Sequence, residues 1–350
     1  MRATKDRTLR SLDDLANANL LAPSDALRAV AARYSVAVTP QIAALIDPAD
    51  AGDPIARQFL PDARELLTQD VELADPIGDD AHSPLPGLVH RYRDRVLLKL
   101  LSVCPVYCRF CFRRETVGNG KGGVLPDEAL DAALKYIAAR PEIFEVILTG
   151  GDPLAASARR LREVATRLAQ IPHVALLRVH TRVLTAAPEL VTWERLDALQ
   201  ASGKALYVAL HVNHPRELSA PAREAIGRLH EAGAALLAQT VLLRGVNDDA
   251  DTLEALLRAL VSLKIQPYYL HHPDLAPGTA HFRLPLARGR EIFEELGQRV
   301  GGHALPRYVL DLPGGFGKIS VEEPHVFRGP DGGWRVVDRF GGEHGYGEGA

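Results

Sequence analysis

Residues 95–115 read RVLLKLLSVCPVYCRFCFRRE. An apolar run of strand length, Val96 to Val103, leads directly into Cys104, Cys108 and Cys111, the only three cysteines among 350 residues. A disulfide framework would use an even number spread along the chain, and a closed structural zinc site wants four ligands. Thiolates are also the usual protein ligands of a 4Fe-4S cubane; four saturate it, whereas three leave one iron open to another molecule. A zinc site completed by a nearby histidine is the competing reading.

Downstream of this stretch, strand-length apolar runs alternate with helical patterns. Strands are predicted at 144–148, 174–179, 206–212, 234–243 and 267–271, with helices near 126–139, 156–169, 191–202, 220–232 and 251–263. In the first of these helices Leu130, Leu134 and Ile137 recur on one face, and Asp127 and Glu128 sit at the positive end of its dipole. Strands separated by helices imply a parallel sheet, open or barrel-like, because parallel neighbours need a long crossover. The thiols then lie at the C-terminal end of the first strand, where parallel α/β folds place their sites.

Upstream, residues 1–74 read as a small helical extension, with Ser24 capping a helix that runs to Tyr34. Residues 75–90, DPIGDDAHSPLPGLVH, read as an approach loop, the core as 75–321, and residues 322–350, rich in glycine and charge, as a loosely ordered C-terminal tail. A net charge of −3 argues against a phosphate-backbone binder. No apolar run approaches the ~20 residues of a membrane helix, and the polar N-terminus lacks the apolar stretch of a signal peptide, so a cytoplasmic protein is expected.

Two further motifs carry chemistry. The strand at 144–148 ends in LTGGDPL, whose Gly150, Gly151 and Asp152 suit a close backbone approach, although turns after strands often look like this. Near the end, LDLPGGFGKI (310–319) sets one lysine, Lys318, after a glycine-rich turn. Lysine is the natural anchor for pyridoxal phosphate through its amine, but a loop lysine is usually just solvated. HRYRDR (90–95) brings Arg91 and Arg95 four apart around Tyr92, a set suited to a phosphate or to a surface ion-pair cluster.

Together, HRYRDR, CPVYCRFCFRR, LTGGDPL, HVNHP, QTVLLRGVND, PYYLHHPDLAPGTAHFR and DLPGGFGK resemble the lysine 2,3-aminomutase family of radical S-adenosylmethionine (SAM) enzymes, over about Asp75 to Val321. The resemblance implies a partial barrel of six β/α units with an N-terminal helical extension and a C-terminal lysine-bearing loop. It also implies a 4Fe-4S cluster on Cys104, Cys108 and Cys111, and SAM near Gly150, Gly151, Asp152, His211 and Gln239. Pyridoxal phosphate would sit on Lys318, with Arg91, Tyr92 and Arg95 around its phosphate. Arg113 would take the substrate carboxylate, and Asp274 and Asp311 the distal ammonium of L-lysine. The charge logic is independently sound, since a buried ammonium needs compensating carboxylates. The implied reaction is hydrogen abstraction at the β-carbon and migration of nitrogen from C2 to C3, giving β-lysine. A one-electron donor such as flavodoxin or ferredoxin is implied as a partner.

Alternatives remain open at this point. The lysine could be free or linked to elongation factor P, as in the branch that modifies that protein, and the chain could be a degenerate iron–sulfur protein without turnover. Longer lysine aminomutases carry C-terminal zinc-binding cysteines that this sequence lacks, which leaves a homo-oligomer open.

Overall fold

The computed structural model describes residues 7–118, 123–322, 325–330, 334–337 and 341–346. Its main sheet has nine strands in sequence order: β1 (Leu88–Tyr92), β2 (Arg95–Leu101), β3 (Glu145–Gly150), β4 (Leu176–Thr181), β5 (Ala205–His211), β6 (Ala235–Val241), β7 (Gln266–His271), β8 (Arg307–Leu312) and β9 (Gly317–Ser320). Neighbours from β2 to β8 pair in parallel, while β1 and β9 pair antiparallel at the two edges. This is the partial α/β barrel expected of the sequence, with one more parallel strand, β8, beyond the six β/α units.

Four helices form the extension: α1 (Leu12–Asn17), α2 (Asp25–Arg33), α3 (Pro40–Leu45) and α4 (Pro54–Phe59). The crossovers are α5 (Asp127–Ala138), α6 (Ala158–Ala169), the short α7 (Val183–Ala186) followed by α8 (Trp193–Gln200), α9 (Ala220–Glu231), α10 (Ala250–Ser262) and α11 (Leu286–Arg299). Their starts are specified locally: Ser157, Thr192, Ser219 and Asp249 each accept a backbone N–H of the first turn of α6, α8, α9 and α10. Leu130, Leu134 and Ile137 of α5 are buried, together with Val146 and Leu148 of β3, in one core between helices and sheet. Burying such side chains contributes about 1.5–3 kcal/mol each.

The extension has its own apolar cluster, Leu15, Ile42, Ile55 and Phe59 among others, and it closes on Val106 of the cysteine loop and Ala186 of α7. It is therefore packed across the C-terminal end of the barrel.

Three expectations are corrected. The segment 75–90 is not all loop, because residues 88–90 open β1, and β1 supplies an antiparallel edge to β2. Lys318 lies on strand β9 rather than in a loop, paired in register with Asp311 of β8. The tail is more ordered than its composition suggests: β10 (Val326–Arg328), β11 (Trp334–Val337) and β12 (Glu343–Tyr346) form a small antiparallel sheet.

Candidate active site

The parallel strands end on one rim, and the cavity there is lined by all fifteen of the residues singled out in the sequence, from Arg91 in β1 to Lys318 in β9. The strand period explains the placement. Leu270 of β7 faces the helices in the main core, so its neighbours Tyr269 and His271 can face the cavity.

Cys104, Cys108 and Cys111 follow β2 and border this cavity. Burial pushes the Cys108 thiol up to about 12, against the nearby charge of Arg182, and raises Cys104 and Cys111 as well. Thiols so placed need a metal centre to be stabilised as thiolates. A cubane, which takes each thiolate on a different iron, fits the donor set better than zinc.

The cysteine loop is tied down from below. Glu65, fully buried, accepts from Arg109 Nε at 2.8 Å and Nη2 at 2.5 Å and also pairs with buried Arg114. Arg109 also donates to the carbonyl of Ser35, and Arg114 to that of Gly278. Glu65 itself sits in a capping turn that starts at Asp62.

The glycine motif borders the cavity and also has a packing role. A Cβ on Gly151 would lie 2.2 Å from the carbonyl oxygen of Val103, and one on Gly150 2.5 Å from that of Leu101. The two glycines thus let the turn press onto the chain that enters the cysteine loop. Asp152 accepts from Thr181 Oγ1 at 2.8 and 3.0 Å and from the backbone N–H groups of Leu154, Arg182 and Val183. Its carboxylate thereby fastens β3 to β4; burial outweighs these bonds and raises it to about 6.

His211 and Gln239 sit opposite each other at the ends of β5 and β6. Burial and the charge of Arg182 hold His211 neutral, down to about 3, and burial likewise depresses His180, whose ring meets that of His211 edge-on at 5.9 Å.

Arg91, Tyr92 and Arg95 come together across the tight turn between β1 and β2. Arg95 stacks on the Tyr92 ring at 3.8 Å, and the Tyr92 hydroxyl accepts the backbone N–H of Lys318 at 2.9 Å. Arg91 donates to Asp79 at 3.0 Å, while its Nε is buried without a partner. An orphaned guanidinium N–H beside a second arginine and a lysine fits a phosphorylated aldehyde.

Asp79 was not visible as a site residue in the sequence. It also accepts from Arg113 at 2.9 and 3.2 Å, and Arg113 reaches Thr149 Oγ1 at 3.3 Å. At the opposite charge, Lys318 Nζ donates to both oxygens of Asp311 at 2.9 and 2.8 Å. Burial pushes Asp311 upward, but neighbouring His271 and the charge of Lys318 outweigh it and hold the carboxyl well below its usual range. Asp274 shows the converse: burial, reinforced by repulsion from Asp311, raises it to about 7.

Comparison with known proteins agrees with this architecture. The radical SAM superfamily matches residues 98–257, which contain the cysteine loop and the strands β3 to β6. The chain is a radical SAM enzyme, and that class implies a 4Fe-4S cluster and SAM. Relatives named L-lysine 2,3-aminomutase are similar over most of its length. That of Fusobacterium nucleatum subsp. nucleatum is 39% identical over 291 residues, covering 83% of this chain and 68% of its own. That of Clostridium subterminale is also 39% identical, covering 83% and 70%, and that of Escherichia coli is 35% identical over 325 residues, covering 91% of each. The chain therefore belongs to the L-lysine 2,3-aminomutase family of isomerases. None of its described helices is long and apolar enough to cross a membrane.

Proposed function

We propose that the protein converts free L-lysine to β-lysine with a 4Fe-4S cluster, SAM and pyridoxal phosphate. The observation that carries the substrate is the pair Asp274 and Asp311 in the same cavity as Arg113 and the three cysteines. A distal ammonium meets two carboxylates there, whereas a neutral or anionic tail would leave them unpaired.

The cluster and SAM supply a 5′-deoxyadenosyl radical, and pyridoxal phosphate supplies an aldehyde that holds the migrating nitrogen through a delocalised system. The chain supplies position. Cys104, Cys108 and Cys111 would hold the cluster and leave one iron for SAM, which the Gly150–Gly151 turn, Asp152, His211 and Gln239 would border. Lys318 would hold the aldehyde and Arg91 and Arg95 the phosphate, with the Tyr92 hydroxyl fixing the backbone of Lys318. Arg113 takes the substrate carboxylate, for which Asp79 now stands in as its partner. His211 is buried and held neutral, so it adds no charge to the site.

The test is anaerobic reconstitution followed by incubation with SAM, pyridoxal phosphate, dithionite and L-lysine, with Lys318→Ala beside the wild type. The expected result is β-lysine, detected by mass spectrometry, from the wild type alone. Cleavage of SAM to 5′-deoxyadenosine without β-lysine would overturn the free-lysine assignment and direct the search to a protein-linked lysine.

A further inference from the structure

His271 ends β7 in the sequence PYYLHHPD and has been given no role so far. Its Nδ1 lies 3.7 Å from Asp311 Oδ2, too long for a formed hydrogen bond. Its Nε2 is buried without any partner, and its ring rests edge-on against Tyr269 at 5.4 Å. A histidine kept for packing normally has both ring nitrogens satisfied. Here one nitrogen has no partner and the other has a single polar neighbour, which is the carboxylate assigned to the substrate ammonium. Burial, above the opposing pull of Asp311, also keeps the imidazole neutral. One nitrogen therefore carries a proton and the other does not, and the carboxylate draws that proton to Nδ1.

The partner that Asp311 does bind is in the same cluster. Lys318 Nζ donates to both of its oxygens, at 2.9 and 2.8 Å. When Lys318 turns to the cofactor, Asp311 loses both contacts, and a buried carboxylate left without a donor is costly and free to rotate. We propose that His271 is the positioning residue for Asp311: its Nδ1–H takes over from Lys318 and holds the carboxylate where an alkylammonium chain end meets it. The inference rests on the lysine reading above and deepens it. It makes the specificity carboxylate part of a three-membered exchange, in which Lys318 and His271 alternate as donors and the substrate ammonium completes the set.

The test compares reconstituted wild type with His271→Phe, which keeps an aromatic ring against Tyr269 but has no donor, and His271→Asn, which restores one. Each is also made in an Asp311→Asn background. Steady-state constants for L-lysine are measured alongside equilibrium binding of L-lysine and of norleucine, which lacks the distal ammonium. The loss of a hydrogen bond to a charged group predicts that His271→Phe raises the KM and Kd for lysine about 10- to 100-fold. Norleucine binding, iron content, pyridoxal phosphate absorbance and substrate-free SAM cleavage should stay at wild-type levels, and His271→Asn should recover most of the loss. In the Asp311→Asn background His271→Phe should add nothing, since a residue that acts through another is silent once the other is gone. An unchanged lysine KM in His271→Phe, equal losses for lysine and norleucine, or a full additional loss on top of Asp311→Asn overturns the proposal. A wild type that cleaves SAM yet neither binds nor converts L-lysine overturns the underlying reading and this one with it; wild-type conversion with an indifferent variant overturns this one alone.

Discussion

The cysteine loop and the lysine hairpin face the same cavity but are held in opposite ways. Around the cysteines, Glu65, Arg109 and Arg114 form an ion cluster with no exposed surface at all. Around Lys318, beyond the β8–β9 ladder, the anchors are a backbone bond to Tyr92 and an ion pair whose lysine remains 29% exposed, while Phe316 at the hairpin tip is 78% exposed. A buried ion cluster is expensive to assemble and more expensive to break, so it suits a loop that must keep one geometry. An exposed hairpin with exchangeable partners suits a lysine that must let go of one group and take another. The difference between the regions is a difference between a permanent fastening and a reversible one.

The largest expected effect tests the fastening. Glu65→Gln leaves two buried guanidiniums without their counter-charge and should cost about 3–5 kcal/mol in anaerobic denaturant unfolding of the reconstituted protein. A loss below 1 kcal/mol would mean that the cluster is not what secures the loop. On the reversible side, Asp311→Asn should weaken lysine by about 2–5 kcal/mol, read as KM, while leaving the cluster spectrum intact.

A third effect separates the two carboxylates of the ammonium end. Burial and repulsion from Asp311 raise Asp274 to about 7, so its neutral form is favoured below that pH. An ammonium binds the ionised form. Lysine affinity should therefore fall as pH drops below 7, by up to about tenfold per unit, with a proton released on binding. Calorimetry in buffers of different ionisation heat measures that proton, and Asp274→Asn should abolish it. The smallest effect belongs to the hairpin tip: Phe316→Ala should change stability by no more than about 0.5 kcal/mol, because the ring is mostly in solvent.

Much of this was legible in the sequence because it is local. The strand and helix periods gave the barrel order, and the face of α5 carrying Leu130, Leu134 and Ile137 is buried as its spacing implies. The spacing of the three cysteines and the lysine after a glycine turn are likewise short-range patterns. The unread parts depend on partners far along the chain. Glu65 lies 44 residues before Arg109, and within its own neighbourhood it reads only as the acidic member of a capping turn. Asp79 sits in DPIGDD, a turn-like composition that hides its arginine partners 12 and 34 residues away. Strand β9 was missed because PGGFGK reads as a turn, and only pairing with β8 makes its last residues a strand. His271 stood inside a quoted motif, but nothing nearby in sequence marks Asp311 as its neighbour.

The contact between the first and last strands of the main sheet bears on the order in which the protein can be completed. Tyr92 and Lys318 are 226 residues apart, and beside them Gly78 and Gly315 approach so closely that a Cβ on Gly78 would lie 2.5 Å from the Gly315 nitrogen. A chain emerging from the ribosome presents the three cysteines and their glutamate clamp early, whereas the proposed pyridoxal phosphate site lacks its lysine until β9 arrives. On the proposed reading, the cluster ligands are complete before the end of synthesis and the aldehyde's lysine is not. Excess pyridoxal phosphate supplied during translation should therefore gain nothing over the same amount supplied to the finished protein.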